Sequence, residues 1–326
     1  MKLINKPIAI IAGEPNSISS EIIFKAWKKR KKYIHKPFIV IGNMNLLNLQ
    51  KKKLKYKFKI KKITQDFNLK TVSSNELCVY NIDFNQKKTF GDISEKSSKY
   101  IFNCFSSARR LIKNNKVIGL INCPVSKESL FKKKHQGITE FLSKKDGILG
   151  NEVMLIYNKK LSVSPLTTHI AIKDISKNII KSKIIKKIKI INNFYKKIFN
   201  KKPHFAVLGL NPHNFKTSSR ADKAKVIYGA IKSLRRLKIK VSGPISPDTS
   251  FVSYKKKKFD IIFGMYHDQV LTPFKALFDY NAINITLGLP YIRVSPDHGV
   301  GENILGKNIA NPKSLIEAIK FFNYLK

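Results

Sequence analysis

The sequence predicts an α/β protein whose strands are mostly parallel. Short apolar runs alternate along the chain with longer segments of helical periodicity, and this alternation is typical of parallel sheets. Hydrophobic residues make up 43% of the 326 residues, enough to form a sizeable core. No internal repeat and no long linker rich in Pro, Gly or Ser interrupts the pattern. The length allows two domains or one large α/β unit.

The individual elements follow from the same pattern. The apolar runs predict strands at 7–12, 37–41, 117–122, 161–166, 204–209 and 260–265. The periodic segments predict helices at 19–31, 94–114, 176–199, 221–237 and 312–324. In the third of these helices, isoleucines 180, 184, 188 and 191 recur at helical spacing with lysines between them, which predicts an amphipathic surface helix. The segment 43–92 is the least legible part of the pattern, and its lysine-rich middle is expected to run over the surface.

The chain is strongly basic, with a formal charge of +44. Such a charge is typical of proteins that bind nucleic acid. Of the 64 basic residues, however, only seven are arginine and 57 are lysine, and they are dispersed over several elements. Arginine is the better residue for bidentate recognition of phosphates and bases. Compositional drift towards lysine is therefore the favoured interpretation, and a selected polyanion-binding role stays open as an alternative.

Other compositional features exclude several classes of protein. The three cysteines, Cys78, Cys104 and Cys123, show no CxxC spacing, so neither a disulfide framework nor a cysteine zinc site is expected. No apolar stretch reaches the roughly 18 residues of a membrane span. The first apolar run is short and is followed by no small-residue cleavage pattern, so the sequence predicts a cytoplasmic protein without a secretory leader.

Three of the predicted strands lead directly to a histidine. His169 follows the strand 161–166, His213 follows 204–209, and His267 follows 260–265. Because ligand sites of parallel sheets form at the carboxyl ends of the strands, these imidazoles could converge on one divalent metal. Three histidines with an open fourth position form a catalytic pattern. The alternative is that each histidine is a strand-end residue bonded to backbone. Asp268 could orient a neighbouring ligand, touch the metal or be a solvated loop acid.

Polar residues also interrupt the apolar segment that follows. Lys275, Asn284 and Arg293 stand in this segment, and Arg293 is informative because lysine is the default cation of the chain. A fork that binds carboxylate or phosphate explains an arginine there, with a structural ion pair as the alternative. The loop GEPNSISSEI could present backbone N–H groups to an anion. No GxGxxG, P-loop, GxSxG or HExxH motif is present, so a Rossmann-type dinucleotide site has no support.

Eight motifs occur along the chain in the order of one known family. They are GEPNSISSEI, NCPVSKESL, GITEFL, LTTHIAIKDI, GLNPH, GPISPDTSF, MYHDQVLTPFK and NITLGLPYIRVSPDHG. On these motifs the chain resembles the 4-hydroxythreonine-4-phosphate dehydrogenase family of pyridoxal phosphate biosynthesis, from residue 8 to about residue 305. MYHDQ and NITLGLPYIR are specific motifs.

The resemblance implies a fold like that of the isocitrate and isopropylmalate dehydrogenases. That fold has two α/β/α domains around a cleft, in a homodimer whose active sites use residues from both subunits. We expect the first domain at residues 1–130 plus about 300–326, and the second at about 131–299. The group binds NAD without a Rossmann fingerprint, in agreement with the missing GxGxxG, and the sequence does not indicate the cofactor-binding residues.

The resemblance also implies the site residues, residue by residue. It implies metal ligands at His169, His213 and His267, substrate-binding residues at Thr139, Lys275, Asn284 and Arg293, and catalytic residues at Lys275 and Asp248. The metal would be one divalent ion, zinc, magnesium or cobalt, and one of its ligands could come from the partner subunit.

The implied reaction is oxidation of 4-phosphooxy-L-threonine at its 3-hydroxyl by NAD or NADP. Decarboxylation of the β-keto acid would then give 3-amino-2-oxopropyl phosphate in vitamin B6 biosynthesis. One departure matters: the family reads His-Thr-Glu where this chain reads Ile138-Thr139-Glu140. This keeps open a related substrate, such as threonate or erythronate 4-phosphate, and His135 is a candidate replacement. A non-catalytic polyanion-binding homologue and an inactive homologue are the further alternatives.

Overall fold

The fold was described from a computed structural model. The structure describes residues 6–33, 36–72, 75–131, 137–212 and 223–325. The chain divides into two compact units. The first unit comprises Met1–Phe141 and Pro290–Lys326, and the second comprises Leu142–Leu289.

Strands and helices alternate through both units. The strands of the described residues are β1 Ile8–Ile11, β2 Phe38–Gly42, β3 Ile60–Ile63, β4 Leu77–Asn81, β5 Gly119–Asn122, β6 Val153–Tyr157, β7 Ser162–Thr167, β8 Phe205–Leu208, β9 Val241–Ile245, β10 Ile261–Tyr266, β11 Ile283–Leu287 and β12 Ile292–Pro296. The helices are α1 Ser19–Lys29, α2 Met44–Lys53, α3 Leu69–Val72, α4 Ser98–Lys113, α5 Lys127–Phe131, α6 Ile138–Lys145, α7 Ile175–Asn178, α8 Lys181–Phe199, α9 Ala224–Arg236, α10 Pro247–Ser253, α11 His267–Phe278 and α12 Lys313–Phe321.

In the first unit the strands form a parallel sheet in the order β3-β4-β2-β1-β5-β12. The central strand β1 is buried along its whole length. Strands of a parallel sheet are covered by helices on both faces, so both faces of such a strand are apolar. This explains why β1, β2 and β5 are nearly continuous apolar runs in the sequence.

In the second unit the order is β11-β6-β7-β10-β8-β9. Strands β7, β10, β8 and β9 are parallel, whereas β6 runs antiparallel to both β7 and β11. The predicted α/β class with mostly parallel strands is therefore confirmed, with β6 as the exception.

All six predicted strands are present, as β1, β2, β5, β7, β8 and β10. The predicted helices correspond to α1, α4, α8, α9 and α12, although residues 221–222 of the fourth lie outside the described part of the chain. The segment 43–92, for which no element was predicted, contains α2, α3, β3 and β4. Lysines 61 and 62 of β3 are exposed, and this edge strand lacks the apolar signature of the others.

Helix α8 is amphipathic as predicted, with one correction. Ile184, Ile188 and Ile191 are fully buried, but Ile180 is 41% exposed. The helix begins at Lys181, so Ile180 precedes it and does not share its apolar face. No helix in the described ranges has both the length and the apolar character that crossing a bilayer requires. The three cysteines are buried thiols without a disulfide, as predicted.

Helix α11 is anchored in the core of the second unit. Val270 and Phe274 are fully buried, and both belong to a cluster that also contains Ile262 and Val163 from the sheet. Burial of a side chain the size of Phe274 stabilises the fold by about 1.5–3 kcal/mol. The helix begins at His267, directly after β10, so this packing fixes the position of its first turn.

Candidate active site

Two of the strand-end histidines lie side by side in the second unit. Strands β7 and β10 are parallel neighbours, with Thr167 in register with Tyr266. The chain then reaches His169 after one strand and His267 after the other, at the same edge of the sheet. The centroids of the two imidazole rings are 6.2 Å apart and the ring planes are inclined by 34°. The structure therefore brings His169 and His267 together.

The backbone at His169 is held in an unusual conformation. Its φ angle is +48°, in the left-handed region that a residue with a Cβ rarely adopts. Such a conformation costs on the order of 1–2 kcal/mol, and residues held in it cluster at functional sites. Just before it, the Thr167 hydroxyl donates to the Met265 carbonyl at 2.8 Å and ties the end of β7 to β10. The sheet thus fixes the turn that orients His169.

The ring of His267 is oriented by the next residue. Its Nδ1 lies 2.7 Å from Oδ1 of Asp268. Because a carboxylate only accepts hydrogen bonds, Nδ1 carries the proton and the lone pair of Nε2 is directed elsewhere. This carboxylate–histidine arrangement is the one that commonly supports metal-binding histidines. The His267 side chain is 35% exposed, so a ligand can reach it from solvent.

The third histidine of the sequence pattern, His213, lies outside the described residues. Strand β8 is the other neighbour of β10 and runs parallel to it, with Phe205 in register with Ile261. The carboxyl end of β8 therefore reaches the same edge as β7 and β10. Among the described residues no group of three His, Cys, Asp or Glu side chains is arranged to hold a metal.

The two described histidines fit a divalent ion. Imidazole nitrogens bind zinc at about 2.0–2.1 Å. Two rings whose centroids are 6.2 Å apart can each place one nitrogen on an ion between them. The Asp268 contact leaves the correct nitrogen of His267 available for this.

The catalytic candidates Lys275 and Asp248 are both exposed and both belong to the second unit. Lys275 follows His267 by two turns of α11, about 12 Å along the helix axis. Asp248 lies in the first turn of α10, where it accepts a hydrogen bond from the Thr249 N–H at 3.0 Å. A hydrogen bond from the Ser246 hydroxyl lowers the pKa of Asp248, so this carboxyl is ionised at neutral pH.

Asn284 lies on the same sheet but at a different level. It is in register with Ile156, which is in register with Val163 of β7. Val163 precedes the end of β7 at Thr167 by four residues, roughly 13 Å. The structure therefore does not bring Asn284 to the edge where the histidines lie. Its Oδ1 is buried, and no hydrogen-bond donor among the described residues reaches it.

Arg293 is the centre of a separate polar cluster in the first unit. It lies on β12, is 3% exposed, and donates from Nε to Oδ1 of Asn122 at 2.7 Å. Its NH1 lies 3.4 Å from Oγ1 of Thr139, so the structure brings these two predicted substrate-binding residues together. Both acceptors are uncharged, whereas the charge of Glu140 acts on the pKa of Arg293 in the direction that favours the protonated guanidinium. Burial lowers the pKa of Arg293 to about 10, which keeps it protonated at neutral pH.

The residue that departs from the family motif lies next to this cluster. Ile138 is 5% exposed and begins helix α6, directly before Thr139. The side chain at this position is therefore buried and apolar. His135, the candidate replacement, lies outside the described residues.

The proposed anion site in the GEPNSISSEI loop is wrong for four of its backbone N–H groups. These groups already donate to protein acceptors, Glu14 N to Pro124 O, Asn16 N to Glu14 Oε1, Ile18 N to Val300 O and Ser19 N to Ser17 Oγ. Glu14 itself is 1% exposed and accepts a hydrogen bond from the Ser97 hydroxyl at 3.0 Å. Burial raises the pKa of Glu14. The hydrogen-bonding groups of this loop therefore connect it to other segments of the first unit.

Comparisons with known proteins assign the family. The family model "Pyridoxal phosphate biosynthetic protein PdxA" matches residues 34–322. The chain is 38% identical over 323 residues to a 4-hydroxythreonine-4-phosphate dehydrogenase of Sulfurihydrogenibium sp., covering 98% of each chain. It is 34% identical over 331 residues to that of Aquifex aeolicus, again covering 98% of each.

Solved structures agree with this assignment. The fold is similar to that of a 4-hydroxythreonine-4-phosphate dehydrogenase from Klebsiella pneumoniae, with a TM-score of 0.85 and 26% identity over 99% of each chain. An enzyme of the same name from Burkholderia phymatum gives a TM-score of 0.80 at 26% identity over 98% of each chain. The chain belongs to the PdxA family of 4-hydroxythreonine-4-phosphate dehydrogenases, and it is an oxidoreductase.

Proposed function

We propose that the chain oxidises 4-phosphooxy-L-threonine at its 3-hydroxyl with NAD or NADP and that the product then loses carbon dioxide. The observation that carries the proposal is the pair His169 and His267, whose rings lie 6.2 Å apart at one sheet edge, with Asp268 on Nδ1 of His267. This pair fits a divalent ion, and it occurs in a member of a dehydrogenase family whose relatives carry the name of this substrate.

His169 and His267 would hold the ion, together with His213, which follows β8 in the sequence. Zinc, magnesium and cobalt are the candidate ions. A divalent ion at this position supplies Lewis acidity, which lowers the pKa of a coordinated oxygen and stabilises negative charge on it. The residues of the chain set the arrangement: β7 and β10 fix the spacing of the two imidazoles, and Asp268 fixes the tautomer of one of them.

The chemistry of the reaction defines what the other residues must do. A hydride passes from C3 of the substrate to the nicotinamide and the hydroxyl proton is released. The bond from C2 to the carboxylate carbon then breaks, and the electron pair left at C2 takes up a proton as 3-amino-2-oxopropyl phosphate forms. The substrate and its β-keto product carry both a phosphate and a carboxylate, so recognition requires fixed cations.

Arg293 is the best described candidate for such a cation. Its buried guanidinium is oriented by Asn122 and Thr139, and a preoriented fork matches a phosphate or carboxylate in two hydrogen bonds. Lys275 would act as a point charge or proton donor, and Asp248 as an ionised acceptor. Asn284 stays in the proposed substrate-binding set because of its place in the family motif NITLGLPYIR, and not because of its position in the sheet.

The proposal includes a homodimer with shared active sites. It also includes a domain arrangement like that of isocitrate dehydrogenase, with domains at 1–130 plus about 300–326 and at about 131–299. The choice between NAD and NADP is part of the experiment.

Ile138 favours one second candidate. Where the family has a histidine, this chain buries an apolar side chain beside Thr139. An enzyme with the same chemistry and a related substrate, threonate or erythronate 4-phosphate, would not need the same polar contact.

The decisive experiment is a substrate panel with the purified protein. We expect formation of reduced cofactor from 4-phosphooxy-L-threonine that requires zinc, magnesium or cobalt and is lost in His267→Ala. The matched control is His204→Ala, because His204 precedes β8, bonds through Nε2 to Ser242 Oγ at 2.9 Å, and lies at the opposite end of that strand from its exit. Turnover of threonate or erythronate 4-phosphate alone would establish the second candidate, and no metal-dependent turnover of any of them would refute the proposal.

The polyanion-binding alternative is tested separately. It requires nucleic-acid binding that survives His267→Ala. Binding that disappears by roughly 200 mM salt without sequence preference would mark generic lysine electrostatics.

A further inference from the structure

The side-chain amide of Gln269 is buried and makes three hydrogen bonds to backbone groups. Gln269 is 8% exposed. Its Oε1 accepts from the Met265 N–H at 2.7 Å. Its Nε2 donates to the carbonyls of Gly209 at 2.8 Å and Leu210 at 3.2 Å. One side chain thus joins the end of β10, the first turn of α11 and the segment that leaves β8.

These three pieces of backbone lead to the candidate metal ligands. Gln269 lies two residues after His267 on α11. Gly209 and Leu210 follow directly after β8, on the way to His213 in the sequence. Strands β8 and β10 are parallel neighbours, and the Gln269 amide links the backbone at their carboxyl ends beyond the paired residues.

The strand is shaped to admit this side chain. Gly264 of β10 has no Cβ, and a Cβ at that position would lie 2.8 Å from Gln269 Oε1 and 2.4 Å from Val270 Cγ1. Both distances are shorter than van der Waals contact, so a larger residue would displace the first turn of α11. The glycine and the glutamine therefore form one structural feature.

We propose that Gln269 is a positioning residue of the metal site, acting by holding the exit of β8 against the start of α11. This rests on the proposed metal-dependent function. Only an amide serves here, because the site needs one acceptor facing an N–H and donors facing two carbonyls. A carboxylate would repel both carbonyl oxygens, and an apolar side chain would leave all three backbone groups without this contact.

A matched control separates positioning from general stability. Gln50, in the other unit, is 2% exposed and donates from Nε2 to the carbonyls of Pro15 at 2.8 Å and Thr89 at 3.1 Å. Gln269→Met and Gln50→Met remove the same kind of buried amide at similar side-chain volume. A purely structural role predicts the same consequences for both.

The test is titration of the full-length, metal-free protein with Co²⁺, read by its visible absorption spectrum and by competition with a chelator. We expect Gln269→Met to weaken Co²⁺ binding by about 10-fold or more and to change the absorption bands, since loss of a supporting contact around a metal site has effects of this size. We expect Gln50→Met to retain the wild-type affinity and spectrum. Wild-type binding in Gln269→Met, or equal losses in the two variants, would overturn the proposal.

Two further variants keep the outcomes distinct. If Gln269→Met does not fold, Gln269→Asn retains an amide that is too short to span the contact, and the same weakening is expected. His267→Ala reports on the proposed function. If the wild type and His267→Ala bind Co²⁺ equally, the metal site itself is wrong and the role of Gln269 fails with it. If the wild type binds Co²⁺ and His267→Ala does not, but Gln269→Met binds as well as the wild type, the role of Gln269 alone fails.

Discussion

Arg293 donates from Nε to Oδ1 of Asn122 across 2.7 Å inside the first unit. Arg293 is in register with Leu120 of the neighbouring parallel strand. Leu120 and Asn122 are two residues apart and therefore project from the same face of the sheet. The asparagine at the end of β5 thus holds the guanidinium at the carboxyl end of that strand.

Replacing Asn122 tests this relationship. We expect Asn122→Leu, which keeps the side-chain volume but removes the acceptor, to lower the free energy of unfolding by about 1.5–3 kcal/mol, because a buried charged donor loses its hydrogen bond. The KM for the phosphorylated substrate should rise at the same time. Urea denaturation and steady-state kinetics measure the two effects, and unchanged values in both would show that the contact is unimportant.

The arginine itself provides the second prediction. Arg293→Lys retains the charge but loses the fork, and we expect kcat/KM to fall by about 100-fold, the equivalent of one charge-assisted hydrogen bond. The control is Arg110→Lys, since Arg110 is exposed and donates to the Tyr80 hydroxyl at 2.9 Å. Equal kcat/KM in wild type and Arg293→Lys would exclude a bidentate role.

Asp268 should support metal binding through His267. We expect Asp268→Asn to weaken Co²⁺ binding by about 10- to 100-fold. The substitution removes the carboxylate that accepts the hydrogen bond from Nδ1–H of His267 and raises the basicity of its ring. Asp279→Asn, just after the other end of α11, removes the same charge and should leave the affinity unchanged. Isothermal titration of both variants decides whether the position of the carboxylate matters.

Glu14 gives a prediction for pH dependence. Burial raises the pKa of Glu14 above its usual value, so the folded protein binds a proton more tightly at this site than the unfolded chain does. The contribution of protonated Glu14 to the free energy of unfolding is therefore fully present below the pKa that Glu14 has in the unfolded chain. It is lost as the pH rises towards the pKa of Glu14 in the folded protein. We expect Glu14→Gln to increase the Tm relative to wild type more at about pH 8 than at about pH 4. The same Tm difference at both pH values would contradict this reading.

Which elements of the fold could be predicted from the sequence depends on how apolar their residues are. Fully buried parallel strands such as β1 and β10 were predictable because both faces are apolar. Edge strand β3 was not, because its lysines 61 and 62 face solvent. Helix α11 was not predicted at all, because His267 and Asp268 suggest a loop and Pro273 interrupts the helical pattern.

The candidate site shows the same limit. His169 and His267 were predictable as neighbours because each follows a predicted strand. Gln269 and Asn122 were not predictable as supports, since their contacts join segments 60 and 171 residues apart in sequence. A polar residue at the end of an apolar run, as Asn122 is, was the one signal that could have indicated the second of them.

The most direct test of the central claim is an anomalous difference map from crystals grown with Co²⁺. The account requires a single strong peak bonded to Nε2 of His267 and to one ring nitrogen of His169, at about 2.1 Å from each nitrogen, with Nδ1 of His267 still on Asp268. A map with no peak between the two imidazoles, or with cobalt bound only elsewhere, would contradict the assignment of this sheet edge as the metal site.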